Sequence, residues 1–124
     1  MTGISRATRA LVISRDRGCC CVCGRYAGPC PNVHHRRNRG SGGSRNPSLG
    51  LPPNLLVVCG SGTTLCHGDL TDNRDRARAL DCGWIVSLNS AADPADIPVR
   101  HALYGLVFLL ADGSVSREAP EAAA

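Results

Sequence analysis

Two cysteine pairs carry the most specific chemistry in the chain. Cys20 and Cys23 enclose two residues in "CCCVCG", and Cys59 and Cys66 bracket "GSGTTL" about 35 residues later. A C-x2-C turn followed by glycine presents two sulfurs to one tetrahedral ion, and a second pair completes a four-thiolate zinc site. The six residues inside the second pair exceed the usual two to four. His67 follows Cys66 directly, so an ion held by Cys66 fixes where His67 sits. A site of three cysteines and His67, in place of Cys59 or Cys66, stays open on the sequence. Pairing Cys19 with Cys21, or Cys21 with Cys30, fits less well. Cys19, Cys21, Cys30 and Cys82 then read as small buried or half-buried residues.

The second concentration is "NVHHRRNRGSGG". Adjacent residues of a strand face opposite ways, so His34 and His35 have separate jobs. Imidazole, with an ordinary pKa near ~6.5, is suited to take a proton from water or to ligate an ion. Arg36, Arg37, Arg39 and Arg45 follow, and the guanidinium fork matches phosphate oxygens. Gly40, Gly42 and Gly43 leave room for a backbone to approach phosphate closely. The fourth histidine, His101 in "PVRHAL", has no partner in either group and reads as surface.

These side chains need elements to hold them. "ISRATRALVISRDRG" spaces Ile4, Ala7, Leu11 and Val12 at helical intervals, with Arg6, Arg9 and Arg15 on the remaining surface and Gly18 as the stop. "NVHH" reads as a short strand and "NLLVVCG" as a buried one. The long segment between them belongs to the class of loops that are functional or disordered. A helix is expected from about Thr71 or Asp72 to Asp81, with Gly83 near its end. "GWIVSL" and "LYGLVFLLADGSV" are strand candidates, the second turning at Asp112-Gly113. "NSAADPADIPVRH" reads as a loop. The expected organisation is a basic N-terminal helix over 1–18, a zinc-stapled core over 19–88, a loop and C-terminal strands over 89–116, and a disordered tail over 117–124.

Charge is distributed unevenly. Residues 1–50 hold nine arginines and one acid, Asp16, whereas residues 51–124 hold five arginines and nine acids. All 14 basic residues are arginine, and the net charge is +4. The N-terminal half is therefore a candidate phosphate-binding face. At 124 residues with 3% aromatics, one domain with a thin aliphatic core is expected, and a metal would help staple it. The N-terminus lacks the apolar run of a signal peptide, and "LVFLL" is too short to span a membrane. A cytoplasmic protein is expected, with cysteines as metal ligands rather than disulfides. A secreted disulfide scaffold is set aside on the same grounds.

Read in order, "HH", "PNLLVVC" and "CHG" supply His, Asn and His interleaved with the cysteine pairs. This order resembles the HNH endonucleases. With "RDRGCCCVCG", "RRNRGSGG", "CGSGTTLCHG" and "CGWIVSL", the chain is similar to the small zinc-containing members encoded by bacteriophages, over roughly residues 6–88. The resemblance implies an α+β fold with a small ββα-metal (His-Me finger) core, a four-cysteine zinc knuckle, an N-terminal helix and a C-terminal β-hairpin. It implies that His35 is the general base, that His34 and His67 hold one catalytic divalent ion, Mg2+ or Mn2+, and that Asn54 orients the base or braces its loop. Structural Zn2+ would sit on Cys20, Cys23, Cys59 and Cys66. The substrate implied is DNA, cut at phosphodiester bonds, with a phage terminase as partner and the host cytoplasm as location. Neither a membrane nor a small-molecule cofactor is expected. Many members carry another ligand one turn after the final His, where this chain has Thr71, with Asp69 and Asp72 nearby.

Arg74 and Arg78, four apart on the expected helix, would share a face toward DNA phosphates, leaving Arg76 to pair with Asp72 or Asp75. The competing class is a non-catalytic zinc module that binds nucleic acid. It uses the same cysteines and arginines but needs neither His35 nor Asn54.

Overall fold

The computed structural model describes residues 4–38, 47–61, 63–87 and 92–120. Arg39, Arg45 and the glycines at 40, 42 and 43 lie outside the described residues, as does the end of the tail.

Strand β2 (Leu55–Val58) is buried along its whole length. Alternation sends Leu56 and Val58 into a core with Cys21, Leu70, Trp84 and Val107, while Leu55 and Val57 meet Val12 on the other face. An uninterrupted apolar run is what a strand covered on both faces requires. Strand β1 (Asn32–His35) pairs with it antiparallel, Asn32 opposite Val58 and His35 opposite Leu55. Pairing continues past the strand end, where Arg36 N donates to the Asn54 carbonyl at 2.7 Å.

Helix α1 (Arg6–Asp16) starts at Ser5, whose hydroxyl accepts from Thr8 N at 3.0 Å. It ends with Arg17 in the left-handed region and Gly18 N donating to the Ile13 carbonyl at 3.0 Å. The buried face differs from the expected one. Val12 is covered, but Leu11 is 44% exposed, and Arg15 and Asp16 are buried instead. Asp16 accepts from Val57 N at 2.9 Å, from Arg15 Nε at 2.8 Å and from His101 Nε2 at 2.8 Å. Arg15 also donates to the carbonyls of Pro52 and Leu55. Arg15 and His101 are thus interior residues, not surface ones, because each is hydrogen-bonded to one buried carboxylate. His101 Nδ1 accepts from Leu103 N at 3.1 Å, so Nε2 carries the proton it donates to Asp16.

One expected helix is two. Helix α2 (Leu65–Thr71) already contains His67, and helix α3 (Arg76–Asp81) follows a turn. Asn73 takes φ +55, Asn73 N donates to the Leu70 carbonyl at 3.4 Å, and Arg74 N donates to the Asp69 carbonyl at 3.1 Å. That pair of bonds is the Schellman ending, with Asn in the left-handed position. Asp75 caps α3 by accepting from Arg78 N at 3.2 Å. Gly83 ends it at φ +74, where a Cβ would lie 2.1 Å from the Pro98 carbonyl oxygen.

Trp84, Ile85 and Val86 are buried but form no strand, tied instead through Val86 N to the Arg36 carbonyl at 2.8 Å. The segment expected to be a loop contains strand β3 (Val99–His101). It pairs with β4 (Gly105–Leu109), which pairs with β5 (Val115–Ser116) around the expected Asp112-Gly113 turn. The C-terminal hairpin is therefore part of a three-stranded antiparallel sheet. Beyond β5, Glu118 N donates to the Ser116 hydroxyl. The protein is a small α+β structure with three helices and two antiparallel sheets among the described residues. No helix among them is long and apolar enough to cross a membrane.

Candidate metal centre and histidine cleft

The first cysteine pair sits in a tight turn after α1. Gly24 N donates to the Cys20 carbonyl at 2.8 Å, and Cys23 N approaches the Cys20 sulfur at 3.5 Å. The second pair shows how six intervening residues are accommodated. Ser61 and Thr64 bridge each other, Ser61 N donates to the Thr64 hydroxyl at 2.9 Å, and α2 then begins with Cys66 in its first turn. Gly60 makes the bend at φ +87, where a Cβ would stand 2.3 Å from the Thr64 carbonyl oxygen. His67 N closes the loop on the Cys59 carbonyl at 3.0 Å.

The four sulfurs of Cys20, Cys23, Cys59 and Cys66 lie within 4.8 Å of one another, and His67 is not part of the group. Bonds of about 2.3 Å to a tetrahedral zinc would put sulfurs roughly 3.8 Å apart. The Cys23 and Cys59 sulfurs are 3.7 Å apart. Burial pushes the thiols of Cys20 and Cys66 up, so a cation among them is what would keep all four ionised. The cluster is consistent with structural Zn2+. Of the remaining cysteines, Cys21 is buried and Cys19 and Cys82 are half-buried, but Cys30 is exposed.

Beside this cluster, a cleft of about 500 Å³ is lined by His34 and His35 from β1 and by His67 from α2. His34 Nε2 lies 2.9 Å from the Trp84 carbonyl oxygen. A carbonyl only accepts, so Nε2 carries the proton and Nδ1 keeps its lone pair for a ligand. Burial lowers the His34 pKa to about 4, and burial also lowers that of His67. Both rings are therefore neutral near pH 7, the form that binds metals. Their centroids are 6.0 Å apart at 70°. Two imidazoles sharing an ion with metal–nitrogen bonds of about 2.1 Å place their centres roughly 4.6–5.3 Å apart, so these rings would approach by about 1 Å to share one. Nδ1 of His67 is buried with no hydrogen-bond partner, which leaves an imidazole atom that a ligand would satisfy.

Asn54 is fully buried just before β2. Its Oδ1 accepts from Arg37 N at 2.7 Å, and its Nδ2 donates to the carbonyls of Arg37 at 3.1 Å and Leu49 at 2.9 Å. The side chain clamps the backbone two residues after His35 and is not part of the cleft lining.

Arg36 corrects an expectation. It is 1% exposed, and its guanidinium donates to the carbonyls of Gly83, Pro53, Pro94 and Ile97 at 2.7–2.9 Å. A side chain held on four backbone oxygens inside the protein does not reach DNA. Burial lowers its pKa to about 10. Arg37 is half-buried and donates to the Ala92 carbonyl. Arg74 and Arg78 are exposed but do not share a helix face. Arg74 lies in the turn, 3.5 Å from Asp69, and Arg78 stacks 5.0 Å from the Trp84 ring centre.

Thr71 lines the cleft, with its hydroxyl donating to the His67 carbonyl at 2.9 Å. Neither Asp69 nor Asp72 lines it. Asn73 and Arg76, to which the sequence assigned no role at a site, do line it. Comparisons with protein-family models, curated proteins and solved structures found no match.

Proposed function

We propose that β1, β2 and α2 form the ββα-metal core of an HNH endonuclease that hydrolyses phosphodiester bonds of DNA. The observation that carries the reading is the convergence of His34, His35 and His67 on one cleft, from strand β1 and from helix α2, which the cysteine cluster ties to the end of β1's partner strand β2. His34, through Nδ1, and His67 would hold a divalent ion. When bound, that ion supplies positive charge for the phosphate oxygens as they become more negative. His35 takes the proton from the attacking water. Asn54 is a positioning residue that fixes the chain leaving His35. Arg37, Arg39, Arg45, Arg74 and Arg78 are the proposed contacts to the DNA backbone, whereas Arg36 is buried on backbone carbonyls.

Among the described residues the donor set is imidazole without carboxylate, which suits ions such as Zn2+ or Ni2+ better than Mg2+. The same fact favours the second reading, a non-catalytic nucleic-acid-binding module. Plasmid relaxation by zinc-loaded protein across Mg2+, Mn2+, Ni2+ and added Zn2+, with a chelator control, separates the two. Ion-dependent nicking is expected. Protein that retards DNA on a gel and nicks under none of these ions would be the binding module.

A further inference from the structure

The break between α2 and α3 puts a cation where helical period would not. In one unbroken helix, residues nine apart diverge by about 180°, so Arg76 would face away from His67. Asn73 instead reverses the chain at φ +55, and α3 restarts at Arg76 after the Asp75 cap. Arg76 and His67 thereby line the same cleft.

Arg76 shares with Arg6, Arg17, Arg25, Arg100 and Arg117 a side chain without a hydrogen bond or ion pair to any described residue, and of these six it is the one that lines the cleft. Arg15 is paired with Asp16, Arg36 with carbonyls, Arg74 with Asp69 and Arg78 with the Trp84 ring. The Arg76 side chain makes no hydrogen bond or ion pair with any described residue. Among the described residues no carboxylate lines the cleft; its polar lining residues are histidine, asparagine, threonine, serine and arginine. The Arg76 guanidinium therefore enters the cleft wall without a carboxylate partner among the described residues, and its planar fork matches two oxygens of a phosphate.

We propose that Arg76 grips the non-bridging oxygens of the phosphodiester that enters the histidine cleft. Its place in hydrolysis rests on the nuclease reading above, whereas its place in phosphate binding does not. Arg76 is exposed, so its replacement leaves the core and the cysteine cluster untouched.

The test compares wild type, Arg76→Ala, Arg76→Lys and a distant control, Arg117→Ala, each verified for zinc content. Single-turnover nicking at saturating DNA should fall about 10²-fold in Arg76→Ala, the scale of losing one preorganised charge at the reacting group. Duplex affinity should change less than about threefold, because most phosphate contacts lie elsewhere. Arg76→Lys should recover part of the rate, since charge returns without the fork. Arg117→Ala should match wild type. Nicking by Arg76→Ala at the wild-type rate overturns the proposal. If wild type nicks nothing, the nuclease reading fails, and titration with inorganic phosphate decides the grip on its own. Phosphate binding by wild type that is lost in Arg76→Ala then supports it, and equal binding by both overturns it.

Discussion

Arg36 and Asp16 carry charge into the interior for different reasons, and each gives a testable consequence. Arg36 satisfies four carbonyls from three separate segments, and no acid is among its partners. Arg36→Leu would leave those oxygens unpartnered and should cost about 3 kcal/mol or more in urea denaturation. Arg36→Lys should recover little, because one ammonium cannot span the four acceptors. At Asp16, burial alone would raise the carboxyl pKa, but hydrogen bonds from His101, Arg15 and Val57 N outweigh it and the net shift is downward. A depressed carboxyl pKa stabilises the fold above the unfolded value and loses that contribution as pH falls through the folded value. Asp16→Asn should therefore cost about 3 kcal/mol at pH 7. The gap to wild type should narrow in acid, below about pH 3.8, when both are measured by the same denaturant series. The sequence could not reveal either role. Asp16 and His101 are 85 positions apart, and nothing local to Arg36 distinguishes it from the arginine beside it.

Elements were legible where a local rule sufficed. Four apolar residues at Leu55–Val58 announced a strand covered on both faces, and Asp112-Gly113 announced its turn. The single helix expected over 71–81 failed because Asn73 can occupy the left-handed position almost as glycine does, a choice settled by tertiary packing. His67 consequently sits on a helix that polar, glycine-containing "CHGDL" did not advertise. Over its described residues the strand expected from "GWIVSL" is absent, since Trp84 is tied by its indole Nε1 to the Arg100 carbonyl and Val86 by its N to the Arg36 carbonyl rather than by a ladder; Leu88 lies outside the described residues. The second cysteine pair depends on its turn. Gly60→Ala would push a Cβ to 2.3 Å from the Thr64 carbonyl oxygen at φ +87. It should destabilise the protein by about 2 kcal/mol. It should also speed zinc transfer to a competing chelator, measured by absorbance of a zinc-binding dye.

At the scale of the molecule, the cysteine cluster joins the turn after α1, the end of β2 and the start of α2. The start of α2 carries His67, and β2 pairs with the strand β1 that carries His34 and His35. Structural zinc sites in small domains contribute on the order of 10 kcal/mol to folding. Stripping the metal should therefore abolish the cooperative thermal transition, and metal analysis should find one zinc per chain in the folded protein. Cys20 and Cys23 were legible because C-x2-C is a local signature, whereas the six residues between Cys59 and Cys66 left His67 open as an alternative ligand. The cleft was legible in its histidines and silent about Arg76, whose place depends on the broken helix. The central claim is that this cleft performs hydrolysis, and His35 is where it is most exposed to test. Single-turnover plasmid nicking by zinc-loaded wild type and zinc-loaded His35→Ala, with equal DNA affinity verified by gel shift, is the direct measurement. Ion-dependent nicking should fall by about 10²-fold or more in His35→Ala. Equal rates in the two proteins, or no nicking by wild type under any ion, would contradict it.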